Sequence, residues 1–147
     1  VLTDKLKKII MWWIYALLSA LFAAMTAIFA KIGIRGVDTD LATGIRTVII
    51  LLLAWILVFF KGSQNSIESL TRTNWIFLIL SGCATGFSWI CYFKALQLGR
   101  VNQVAPVDKL SVALAIIFAA IFLGEPITLK TGAAALLIMA GTILLIF

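Results

Sequence analysis

The 147-residue chain contains no histidine, only two cysteines and two prolines, and six acidic residues against twelve basic ones. Without histidine it lacks the commonest metal ligand and the commonest general base at neutral pH. Cys83 and Cys91 fall in one apolar run, where helical spacing puts them about 12 Å apart along the axis, too far to form a disulfide. A zinc, haem or iron–sulfur site is therefore not expected, and no other cofactor is either. The chain has no Ser–His pair and no Walker-type glycine loop, which excludes an ATP-driven pump from this chain alone and argues against an enzyme.

Charge itself is scarce. Only 12% of residues are charged and 63% are hydrophobic, with a mean hydropathy of +1.15. Soluble domains are about one quarter charged, and a soluble fold this short cannot hide so much apolar surface. Lipid must be the solvent for most of the chain. The net charge of +6 does not point to nucleic acid, because the bases stand singly at the ends of apolar runs rather than on one face. In that position they act as membrane anchors and topology signals.

Five apolar runs are long enough to cross a bilayer, which takes about 20 residues. They cover 11–33, 41–60, 74–99, 102–124 and 127–147. They must be helices, since an open sheet leaves backbone groups unsatisfied in lipid and the runs do not alternate as barrel strands do. The expected fold is an all-α membrane protein of five transmembrane helices. Gly99 suits a helix end and Asn102 a helix start, and Gly124 ends the fourth span. Pro126 fits the first position of the fifth. Trp12, Trp13, Tyr15 and Trp75 stand where an interfacial aromatic belt forms. Ahead of the spans, residues 1–10 alternate Leu2, Leu6, Ile9 and Ile10 with Lys5, Lys7 and Lys8, the pattern of an amphipathic segment on a membrane surface.

Four charges lie inside the spans: Arg46, Lys94, Asp108 and Lys109. Each sits about 7–10 Å below a helix end, and all four belong to the membrane side opposite the N-terminus. They form one layer at one depth. Arg46, Lys94 and Lys109 have stems long enough to snorkel to the headgroups. Asp108 is too short for that and must pair, take a proton or line a wet cavity. Asp108 and Lys109 are adjacent and point about 100° apart on a regular helix, so Lys94 or Arg46 from a neighbouring helix is the expected partner of Asp108. Intramembrane ionisable residues mark substrate and ion pathways. On the third span Trp89 and Phe93 share a face with Gly86, and Tyr92 lies beside it. With Ser111 of the fourth span these are the candidate cavity wall, against the alternative of plain helix packing. Ser19, Ala23 and Ala27, Gly82 and Gly86, and the small residues of the fifth span suit close helix approach.

Two stretches carry a resemblance. "FLGEPITLKTGAAALLIMAGTILLIF" resembles the end, and "YFKALQLGRVNQVAPVDKLS" the third-to-fourth-span junction, of the EamA domain of the drug/metabolite transporter superfamily, in a single-domain, five-span form. The resemblance spans 11–147. It implies one half of an inverted-repeat, ten-helix transporter, and so a second copy of the same chain as partner. The charge bias across the membrane is weak, six bases against four or five, which permits insertion both ways and an antiparallel homodimer. The implied activity is secondary transport of small metabolites, outward, by alternating access in the inner membrane of a prokaryote. In that setting Asp108 exchanges a proton or cation for substrate. Arg46, Lys94 and Lys109 exceed it by two charges, which leans toward a substrate with an anionic group. Small multidrug resistance relatives carry a glutamate in span one and this chain has none, which argues against export of lipophilic cations. A subunit of a lipid-linked sugar flippase and a non-transporting membrane scaffold are the competing readings.

Overall fold

The computed structural model describes the backbone of residues 2–146 and the side chains of residues 10–146. Most of the side chains behind the amphipathic reading of residues 1–10 lie outside that range. Among the described residues every regular element is a helix: α1 Leu2–Gly33, α2 Thr39–Phe60, a short 3-10 segment Ser63–Ser69, α3 Arg72–Leu98, α4 Val101–Asp108, α5 Leu110–Leu123 and α6 Leu129–Ile146. Five stretches are long and apolar enough to span a bilayer: Ile10–Gly33, Thr39–Phe60, Arg72–Leu98, Val101–Leu123 and Leu129–Ile146. They match the five apolar runs to within two or three residues at most ends.

The helix ends are set by local chemistry. Asp38 Oδ1 accepts the amides of Asp40 at 2.9 Å and Leu41 at 3.0 Å and so starts α2. Thr71 Oγ1 accepts the Asn74 amide at 3.2 Å and starts α3. Gly124 closes α5 at φ +67°, a conformation that favours glycine. The start of the last helix differs from expectation. Pro126 lies three residues before α6 rather than at its first position. Thr128 wins instead: its Oγ1 accepts the Thr131 amide at 3.2 Å, and its carbonyl accepts the Gly132 amide at 2.9 Å. Likewise α4 begins at Val101, one residue ahead of Asn102, with Arg100 as its cap.

The fourth span is two helices. Lys109 ends α4 and begins α5. At this joint the Lys109 amide donates to the Pro106 carbonyl at 3.0 Å, and the Val112 amide donates to the Lys109 carbonyl at 3.0 Å. Both are three-residue steps, the tightened geometry of a 3-10 turn. Pro106 lies inside α4 without an amide to donate.

The buried core is small and sits at one end of the bundle. Ala30, Ile34, Phe93 and Leu96 form it, with Ala42, Tyr92, Val101 and Val104 packed around it. It joins the end of α1, the start of α2, the end of α3 and the start of α4. The same end is tied by polar contacts. Lys31 Nζ donates to the carbonyls of Leu96 and, at 2.7 Å, of Gly99. Gln97 Nε2 donates to the Val37 carbonyl at 3.1 Å. A Cβ on Gly99 would meet Val104 Cγ2 at 2.8 Å, so glycine is what lets the chain turn from α3 into α4.

Elsewhere the surface is apolar and open. The accessible area is 11842 Å², whereas a soluble protein of this mass exposes about 7,400 Å². Trp12, Trp13, Tyr15 and Trp75 all lie on that surface. A Cβ added to Gly82 or Gly86 would meet nothing within 4 Å, so among the described residues no other helix approaches that pair closely.

Candidate functional site

Just inside the tied end, a cavity of about 580 Å³ opens between α1, α2, α3 and the joint of the fourth span. Ala23 and Thr26 line it from α1, Arg46 and Ile50 from α2, and Ser88, Trp89, Tyr92 and Phe93 from α3. Asp108, Lys109 and Ser111 line it from the fourth span. Seven of the eight candidate residues therefore meet in one place: Arg46, Asp108, Lys109, Trp89, Tyr92, Phe93 and Ser111. Lys94 does not. It follows Phe93 by one position, about 100° around the helix, and that turn carries it to the exposed face of α3, away from this cavity.

Arg46 and Asp108 each stand seven residues into their helix, so both lie about 10 Å deep. Arg46 is held by aromatic faces. Its Cζ lies over the Phe93 ring at 4.3 Å and over the Trp89 ring at 5.1 Å, within the range where ring quadrupoles attract a cation. Phe93 is 1% exposed and belongs to the core, so the surface under the guanidinium is rigid. Arg46 Nη1 is buried and has no hydrogen-bond partner among the described residues. The polar residues flanking it on α2 are already satisfied: Thr43 and Thr47 each donate to the carbonyl four residues back, at 2.8 Å.

Asp108 pairs with Lys109, at 3.2 Å from Oδ2 to Nζ. This corrects the expectation that Lys94 or Arg46 would be its partner. The expectation assumed a regular helix through both residues. The helix ends between them, and the lysine stem folds back across the joint. Both side chains keep access to the cavity, at 56% exposure for Lys109 and 36% for Asp108.

Two residues matter that sequence reasoning passed over. Lys31, one of the bases at the ends of the apolar runs, fastens α1 to the end of α3. Thr142 is a buried hydroxyl on α6, within reach of the Ile138 carbonyl at 2.8 Å and the Pro106 carbonyl at 3.2 Å. The signal in both cases is a lone polar residue in an apolar run.

The cavity is not isolated. A larger crevice of about 730 Å³ runs along the small-residue face of α1, from Ala16 to Ala27, toward α4 and α6. It shares Ala23, Tyr92 and Lys109 with the charged cavity. The arrangement offers one carboxylate, two cations, aromatic faces and hydroxyls, which is the equipment of a binding site.

Comparison with known proteins follows the same lines. The EamA-like transporter family matches residues 10–147. A Sinorhizobium sp. protein described as an uncharacterized transporter in the cobO 3' region is 46% identical over 134 residues, covering 91% of this chain and 95% of that relative. No solved structure matches.

Proposed function

The chain belongs to the EamA-like transporter family, and we propose that it is a secondary transporter that exports small metabolites by alternating access. The observation that carries this reading is the charged cavity. Arg46, Asp108 and Lys109 meet about 10 Å inside a five-span membrane protein, beside a break in the fourth span. Broken helices next to midplane charges are how transporters place polar groups and unwound backbone at a binding site. A family of transporters supplies the general activity. The cavity supplies the place where a solute is held, and Asp108 is the group that takes up a proton or cation.

The working unit in this proposal is an antiparallel homodimer. Arg46, Asp108 and Lys109 form one charged layer, near the start of the second span and within the fourth, in a chain of five spans. A second copy inserted the other way round supplies the matching layer and gives two-fold symmetry in the membrane plane. The Sinorhizobium relative is matched over 95% of its length by one such domain. That supports a single domain as the unit of assembly, and a bacterial inner membrane as its location.

The test is topology in sealed cells. Cysteines placed in the exposed loop at 61–70 are labelled from either side, in a background with Cys83 and Cys91 replaced by serine. Comparable labelling from both sides is expected. Labelling from one side alone refutes the antiparallel dimer. Flux into and out of vesicles then reads the direction of transport.

A further inference from the structure

We infer that the solute is an organic monoanion, a carboxylate with an apolar body, and that Arg46 is the residue that docks its anionic group. The inference rests on the transport reading and names the substrate class of the same cavity. Three charged side chains line the cavity, and two of them already answer each other: Lys109 is paired with Asp108 at 3.2 Å. Arg46 is left over. Its guanidinium lies over two aromatic rings, which attract its charge but give no strong hydrogen-bond acceptor. Nη1 is buried with no partner among the described residues.

A buried charged donor without an acceptor is costly to leave that way. An oxygen anion is the ligand that removes the cost. Arginine offers a planar fork of donors that matches a carboxylate edge to edge. The charge count then sets the valence. Arg46 and Lys109 against Asp108 leave one positive charge, so a monoanion brings the cavity to neutrality and a dianion overshoots. A cationic solute would have to displace Lys109 from Asp108, the one acid that lines the cavity.

The rest of the solute follows from what adjoins the charge. The crevice of about 730 Å³ borders the cavity, and Ala23, Tyr92 and Lys109 line both. Its walls carry Ala20, Ala24, Leu137 and Ile138, with few polar atoms. A carboxylate held at Arg46 therefore has apolar space beside it.

The experiment uses the purified full chain in phosphatidylcholine nanodiscs. Binding of benzoate, benzylamine and inorganic phosphate is measured by calorimetry, in wild type, Arg46→Gln, Arg46→Lys and the exposed control Lys61→Gln. Saturable benzoate binding is expected, with no binding of benzylamine and much weaker binding of phosphate. Arg46→Gln is expected to weaken benzoate at least about tenfold, the effect of one lost charge-assisted hydrogen bond. Arg46→Lys, which keeps the charge and so guards against misfolding of the Gln variant, falls between. Lys61→Gln matches wild type. Absence of benzoate binding, equal binding of benzylamine, or unchanged benzoate binding in both Arg46 variants overturns the inference. Adding phosphatidylglycerol separates a free carboxylate from a lipid headgroup: loss of benzoate binding assigns Arg46 to lipid and also overturns it. Flux is read separately. Benzoate binding without transport of any carboxylate keeps Arg46 as an anion site and refutes the transport reading. Transport of solutes lacking an anionic group does the reverse.

Discussion

Replacing Lys31 by methionine tests whether the end of the bundle that frames the cavity is held by one side chain. Methionine keeps the length and apolar stem of lysine and removes only the ammonium. In the structure that ammonium donates to the Leu96 and Gly99 carbonyls, which lie where α3 ends and carbonyls lose their intrahelical partners. Leu96 is 0% exposed, so its carbonyl is poorly placed to find water instead. A hydrogen bond to a charged group contributes about 1.5–3 kcal/mol, and a cation at a helix C-terminus adds about 0.3–1 kcal/mol. The two bonds share one ammonium and Lys31 is only partly buried, so the sum is discounted to about 2–3 kcal/mol. For a chain of this size that corresponds to a fall in Tm of roughly 5–10 °C. The assay is thermal unfolding in detergent micelles followed by circular dichroism. Lys61→Met is the control, an exposed site where a change within about 0.5 kcal/mol is expected. Lys31→Arg keeps the donors and is expected to recover more than half of the loss. If Lys31→Met melts within about 1 °C of Lys61→Met, the tie contributes nothing and the account of this end is wrong.

Other outcomes follow from the same geometry. Gly99→Ala is expected to cost about 1–3 kcal/mol, since the new methyl meets Val104 Cγ2 at 2.8 Å; an unchanged Tm would mean that the α3–α4 turn is looser than described. Thr128→Ala is expected to cost about 1 kcal/mol through loss of the α6 cap, read in the same melt, and no loss would return the start of that helix to Pro126. Asp108→Asn is expected to leave assembly intact, because an accessible ion pair contributes about 0–1 kcal/mol. Proton- or cation-coupled flux should nevertheless fall at least about tenfold. Loss of assembly in that variant would favour a scaffold over a transporter.

How far the fold could be read in advance depended on which interactions are local. Apolar length alone located the five spans, because each run must cross the same thickness of oil. Gly124 marked a helix end through its own conformational freedom, and Gly99 one where a side chain would meet Val104. The start of α6 was misplaced because two local signals competed. Proline is tolerated in a first turn, but the Thr128 hydroxyl supplies an acceptor for an otherwise orphaned amide, and that decided the boundary. The split of the fourth span was hidden for a related reason. Val101–Leu123 is one continuous apolar stretch, and Pro106 is equally compatible with a kinked helix and a regular first turn. The break three residues further on depends on how α4 meets α6, where Thr142 reaches the Pro106 carbonyl.

The charged layer was legible as a layer because depth is a one-dimensional quantity that the sequence records directly. Partners within the layer were not, because pairing depends on rotation about each helix axis. One residue of register separates Phe93, in the core beneath Arg46, from Lys94, on the outer surface. One broken turn converts Asp108 and Lys109 from divergent neighbours into an ion pair. The second point has a mechanical side. Lys109 is both the hinge residue between α4 and α5 and the counter-ion of Asp108, so the charge state of the acid and the bend of the span are linked through one side chain. Protonating Asp108 releases the lysine, adds a second free cation to the cavity beside Arg46 and removes a restraint on the joint. In the proposed transporter a carboxylate solute and a proton then favour each other's binding, which is the coupling of co-transport rather than of exchange.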